Sequence, residues 1–168
     1  MTGSPSRSLS AAVRRLPWSR LAALAVFAVA MAFVEADVVY YLRKLFALQF
    51  DARVTAPGFH FPKEYLAYER AREAATIVML VAVAWLAGRT WRERLAAYLF
   101  IFGVWDILYY VWLYVLLRWP SSPTTRDLLF LIPDEWFAPV WQPIAVSGVL
   151  IIVALALFAG RRPGAGRR

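Results

Sequence analysis

The chain has 168 residues, 61% of them hydrophobic, with a mean hydropathy of +0.54 and a formal net charge of +8. A soluble domain is about 45–50% apolar, so this composition excludes an ordinary one, and the length leaves room for a single membrane domain. The lack of cysteine excludes disulfides, thiolate metal sites, cysteine nucleophiles and haem attached at a cysteine pair, and a single histidine excludes bis-histidine haem within one chain.

In chain order, residues 1–20 form a basic segment, and the first apolar span runs from Leu21 to Phe46. Small residues at Ala28-Val29-Ala30 also fit a signal-peptide cleavage site, but the apolar pattern continues beyond them, which favours an uncleaved signal-anchor. A loop from Ala47 to Pro62 follows and carries His60, read as a loop residue because no second histidine or cysteine could complete a transition-metal site. A spanning helix needs about 20 mostly apolar residues. The second window, Ala74 to Gly88, is short, so its helix is expected to begin outside the bilayer at Lys63-Glu64-Tyr65, just after Pro62.

The third span runs from Leu95 to Leu117 and ends before Trp119-Pro120-Ser121-Ser122-Pro123. A short interfacial helix is expected over Asp127 to Pro133, followed by an aromatic and proline-rich stretch, Trp136 to Pro143, suited to headgroup depth. The fourth span runs from Val140 to Gly160, where Ser147-Gly148 reads as a small-residue packing site, and residues 161–168 form a basic tail. The expected fold is all-α, an antiparallel bundle of four transmembrane helices occupying residues 21–160.

Basic residues are scattered at the ends of apolar segments instead of forming a patch, so they read as topology signals and nucleic acid is not an expected partner. The two termini and the loop between the second and third spans together hold Arg7, Arg14, Arg15, Arg20, Arg89, Arg92, Arg94, Arg161, Arg162, Arg167 and Arg168 against one acid, Glu93. The positive-inside rule then puts both termini in the cytoplasm of a multi-pass cell-membrane protein.

Ionisable groups inside such spans are costly and mark function or pairing. Glu35 and Asp37 lie roughly 21 and 24 Å along a helix entered at Leu21, and Asp106 falls near the middle of the third span. Residues at i, i+3 and i+4 share a helix face while i, i+2 positions diverge, so Glu35 and Asp37 cannot both face one cleft. Asp37 shares its face with Tyr40, Tyr41 and Lys44 and is expected to be satisfied locally, whereas Glu35 must look to another helix. Arg72 is a candidate partner for Glu35 or Asp106, and Arg70 for Glu73, since a bidentate guanidinium makes an acid tolerable at low dielectric. Asp106 aligns with Gly103, Tyr109 and Tyr110. The expected ligand-binding set is Glu35, Arg72, Glu73, Asp106, Tyr109 and Tyr110, with Asp37 and Arg70 in structural ion pairs.

There is no Gly-rich phosphate loop, serine elbow or dinucleotide fingerprint. No cofactor and no metal are expected, and no catalytic residue is assigned. Lys63-Glu64-Tyr65 at a helix start, Asp106-Ile107-Leu108-Tyr109 in a later span and an aromatic loop before the last span look like the emopamil-binding-related (EXPERA) membrane proteins. That resemblance implies a four-helix core that binds sterols or other lipophilic amines, with an isomerase branch that uses acidic residues. The chain departs from the pattern in its Arg70 and Arg72 pair, in the spacing between acids, and in lacking the isomerase branch's histidine within a span. Three functions follow as expectations: binding of a lipophilic or amphipathic small molecule, proton- or cation-coupled transport as a homodimer, or an assembly role in which the acids only lock the bundle. Membrane lipid is the expected partner in each.

Overall fold

The computed structural model describes residues 16–50 and 63–160; His60, the basic termini and most of the expected 47–62 loop lie outside the described residues. The order of elements is α1 (Trp18–Phe50), α2 (Lys63–Ala87), α3 (Trp91–Leu117), β1 (Arg126–Phe130), β2 (Trp136–Pro139) and α4 (Trp141–Ala159). Among the described residues, three helices are long and apolar enough to cross a membrane: Trp18–Ala47, Trp91–Leu117 and Trp141–Ala159. The expected fourth span, α2, is a 25-residue helix that begins at Lys63, but it is not one of the three. Its first half carries Lys63, Glu64, Glu69, Arg70, Arg72 and Glu73, which break the apolar run.

α3 is the central helix and packs on α1, α4 and α2. Its start is fixed locally: Thr90 is extended, and its hydroxyl accepts a hydrogen bond from Glu93 N at 3.3 Å, a satisfied N-cap. Gly88 makes the tight α2–α3 turn, because a Cβ there would lie 2.4 Å from Arg94 N. At the other end, Arg118 closes α3 in the left-handed conformation (φ 54°), its N–H bonding Tyr114 O. Alanines at the helix contacts, Ala28, Ala32, Ala84, Ala96, Ala97 and Ala154, are buried and let the backbones approach. α1 is also tied to α3 by Trp112 Nε1, which donates to Val29 O at 3.2 Å, and by the edge-on Phe33–Trp112 contact.

The outward surfaces of these helices remain apolar, as at Val26, Leu86 and Ile152, which is what lipid-facing positions require. Two arrangements put the chain ends of the helices at one level. Arg20 on α1 pairs with Glu93 on α3 at 2.8 Å, and Arg92 on α3 donates to Gly160 O beyond α4 at 2.9 Å. The start of α1, the end of α2, the start of α3 and the end of α4 therefore meet, and the β-hairpin lies at the opposite end.

The expected interfacial helix over Asp127 to Pro133 is instead the first strand of that hairpin, an antiparallel pair with Asp127 opposite Ala138 and Phe130 opposite Trp136. Its inner side packs on the bundle: Asp127 is buried, as is Leu131 just past the strand, Leu128 packs beside Phe46 and Leu129 on the Tyr110 cluster. A five-residue apolar run bounded by Asp127 and Pro133 is too short for a stable helix turn pattern and long enough for a strand. The hairpin is also held at its base, where Val140 N bonds Thr125 O and Trp141 N bonds Pro123 O.

Candidate functional site

A partly open cleft of about 110 Å³ lies where α1, α2, α3 and the hairpin converge. Glu35, Arg72, Glu73, Asp106, Tyr109 and Tyr110, the six residues expected to bind a ligand, all line it. Glu69, Thr76, Trp105 and Asp127 join them, together with the backbone stretch Leu128 to Leu131. Five carboxylates thus face the cleft, Glu35, Glu69, Glu73, Asp106 and Asp127, against one lining guanidinium, Arg72.

Two groups of acids are treated differently. On the α1–α2 side, Glu35 is buried and takes a hydrogen bond from Arg72 Nη1 and a second from Thr76 Oγ1 at 2.5 Å. Arg72 Nε donates to Glu69 Oε2 at 2.9 Å, so one guanidinium bridges two carboxylates one helical turn and one helix apart. Of the two partners open to Arg72 in the sequence, it takes Glu35. Thr76 is placed by helical spacing, one turn after Arg72, whose carbonyl also accepts from its hydroxyl at 3.2 Å.

On the α3–α4 side, Asp106 is compensated by a single neutral donor: Ser147 Oγ, 1% exposed, donates to Asp106 Oδ2 at 2.7 Å. The close approach of the two helices makes this bond, because at Gly103 a Cβ would lie 2.7 Å from Ser147 O. Trp105, the preceding residue of α3, also lines the cleft, and its Nε1 is buried with no hydrogen-bond partner among the described residues. Tyr109 and Tyr110 stand edge to face, with ring centroids 5.2 Å apart.

The hairpin forms the roof. Tyr110 Oη donates to Asp127 Oδ2 at 3.1 Å, and burial pushes the Asp127 carboxyl up to about 6, against that hydrogen bond and the nearby Arg43 charge. Arg43 lies over the Trp119 ring at 4.3 Å, with its Nε and one Nη buried and without a hydrogen-bond partner among the described residues. Leu131 is gripped through its backbone by α2: its N–H donates to Glu73 Oε2 at 2.8 Å and its carbonyl accepts from Arg70 Nε at 3.1 Å. Arg70 and Glu73 therefore do not form the expected ion pair with one another. They clamp the two backbone polar groups of Leu131, the residue just past the end of β1, which leaves open an N–H and a C=O that a helix would have bonded internally. Asp37, also expected in an ion pair, is half-buried and has no hydrogen-bond or ion-pair partner among the described residues. Lys44, the cation on its face, instead sits 5.6 Å from the Tyr40 ring.

Asp127 and Ser147 were not singled out as site residues in the sequence. Asp127 reaches the cleft as part of β1, and Ser147, which does not itself line the cleft, reaches Asp106 through the close approach at Gly103. Among the described residues, no group of three or more His, Cys, Asp and Glu side chains is arranged to hold a metal ion. Comparison with protein-family models, with curated proteins and with solved structures finds no match to this chain. The short-word resemblance to the emopamil-binding-related proteins thus has no family match behind it and supplies no residue roles.

Proposed function

We propose that this is an integral membrane protein that binds the polar end of an amphipathic small molecule in the acidic and aromatic cleft. The observation that carries the reading is the unspent chemistry on the α3 wall: of two lining residues, Asp106 is a carboxylate with one neutral donor and Trp105 carries a buried indole N–H with no partner among the described residues. Unpaired buried polar groups cost about 1–3 kcal/mol each, a debt that a ligand offering an acceptor to Trp105 and a donor or positive charge to Asp106 would remove. The excess of carboxylates over guanidinium in the lining favours a donor-rich or cationic group. Size points the same way. Sites that enclose a whole drug-sized ligand run to about 300–1,000 Å³, so a cleft of about 110 Å³ suits a headgroup, with the apolar remainder leaving through the open side.

In this reading α2 completes a four-helix membrane bundle, its polar first half being masked by the hairpin and by Glu35, and both chain termini are cytoplasmic. Arg72 sets the polarity of the cleft floor by holding Glu35 and Glu69. Asp106 accepts from the ligand and the tyrosines orient it. Membrane lipid or a lipophilic small molecule is the partner class. The test is mass spectrometry of the protein extracted in native membrane discs: a co-purifying molecule lost on Asp106→Ala, with the fold retained, supports the reading. Unchanged occupancy in that variant rejects it.

A transport reading draws on the same residue, since an acid without a cation in the middle of a span is suited to taking up and releasing a proton. It predicts that Asp106→Asn abolishes proton-coupled flux in proteoliposomes at full folded yield.

A further inference from the structure

At the end of the molecule opposite the hairpin, an open groove of about 440 Å³ runs between the last turns of α2 and the first turns of α3. Val81, Ala84, Trp85, Leu95 and Tyr98 give it an apolar bed, and Trp91 closes one side with its ring edge-on to Trp85 at 5.2 Å. The rim is basic. Arg94 Cζ lies over the Trp85 ring, 3.6 Å from its centroid, and its Nε is held by Gly88 O at 3.2 Å, which leaves both Nη groups without a partner among the described residues. Arg92 shares the rim, and Arg89 is exposed in the adjoining turn. The acid of this turn, Glu93, is already engaged by Arg20 and by the backbone N–H of Arg89.

We propose that this groove is a binding site for an anionic phospholipid, with an acyl chain on the Trp85–Tyr98 bed and the phosphate on the Arg94 and Arg89 guanidinium groups. The charge at the rim selects the occupant: a purely apolar groove would accept any lipid, whereas unneutralised arginines beside interfacial tryptophans favour a headgroup with net negative charge. Stacking on Trp85 fixes the Arg94 plane before the lipid arrives, which lowers the ordering cost of a bidentate phosphate contact. The site shares no residue with the acidic cleft, so it stands or falls separately from the function proposed above.

The full chain, exchanged into detergent with equimolar phosphatidylglycerol and phosphatidylcholine of matched acyl chains, is examined by native mass spectrometry for retained lipid. Phosphatidylglycerol is expected to be retained preferentially, and Arg94→Gln to reduce that preference about fivefold, the size expected for one cation at a lipid surface. Arg89→Gln, a change at an exposed side chain, is expected to reduce it in the same direction. Lys44→Gln, at the far end of α1, is expected to leave it unchanged. Equal retention of the two lipids, an equal loss in Lys44→Gln, or a groove closed by a second copy of the chain with lipid expelled would each overturn the proposal.

Discussion

Ser147 on α4 donates a 2.7 Å hydrogen bond to Asp106 on α3, and it does so beside Gly103, whose missing side chain lets the two helices approach closely. A carboxylate in a span is thereby given a donor without being given a counter-charge. Ser147→Ala is expected to lower stability by about 1–2 kcal/mol, since the bond is to an ionisable group. Gly103→Ala is expected to cost about 1–3 kcal/mol by forcing α3 and α4 apart. Thermal unfolding in detergent measures both, and a neutral effect of Gly103→Ala would show that the helices are not held this closely.

The Glu35–Arg72–Glu69 bridge should behave as a structural pair. Neutralising one member strands the other charge, which costs about 3–5 kcal/mol for a fully buried pair. Arg72 has a side-chain exposure of 31%, so the expected loss for Glu35→Gln or Arg72→Met is nearer to about 2 kcal/mol. The Glu35→Gln, Arg72→Met double variant is expected to recover part of it, and a thermodynamic cycle over the three variants gives the coupling. Additive losses would mean that the two residues do not support one another.

The grip of α2 on Leu131 ties the hairpin over the cleft. Arg70→Ala combined with Glu73→Gln is expected to raise amide hydrogen exchange across residues 126–139 by about tenfold or more, with little change in α3. Unchanged exchange in the hairpin would show that its base, at Thr125 and Pro123, suffices to hold it.

Asp127 gives the fold a pH dependence of definite sign. Its carboxyl is raised to about 6 in the folded protein from an ordinary value of 3.8, so between those values the folded state binds more protons than the unfolded. Stability contributed by this group is therefore full at low pH and falls as the pH rises from about 4 to 6, by about 3 kcal/mol in total. The difference in melting temperature between the wild type and Asp127→Asn, followed from pH 4 to 7.5, should grow in favour of the variant as the pH rises. A flat difference, or one of opposite slope, contradicts the burial assigned to this carboxylate.

Helical spacing alone was enough to bring attention to six of the residues that line the cleft from α1, α2 and α3, though not to Glu69, Thr76 or Trp105. A buried acid on one helix needs a donor at the same depth on another, and the i, i+3 and i+4 rows of α2 offered Arg72 to Glu35. The same logic failed for Arg70 and Glu73, which bond the residue just past a strand whose existence the sequence did not reveal. Leu128 to Ile132 is apolar at every position, so neither a 3.6-residue nor a two-residue period stands out, and the interfacial helix expected there could not be told from a strand. With β1 unseen, Asp127 had no route to the site. Ser147 was read only as a packing residue, because the closeness of α3 and α4 at Gly103 is a fact of three dimensions. The basic ends of α2 and α3 were legible as charge, but the stacking of Arg94 on Trp85 that organises them was not.

The most direct test places a photo-crosslinking side chain at Val39, which lines the cleft, and at Leu86, which faces outward at 86% exposure, in otherwise wild-type protein irradiated in its own membrane. Mass spectrometry should find one adduct of defined mass at Val39, absent when Asp106 is changed to Asn and absent at Leu86. If Val39 instead captures the same mixture of bulk lipids as Leu86, with or without Asp106, the cleft holds no ligand of its own.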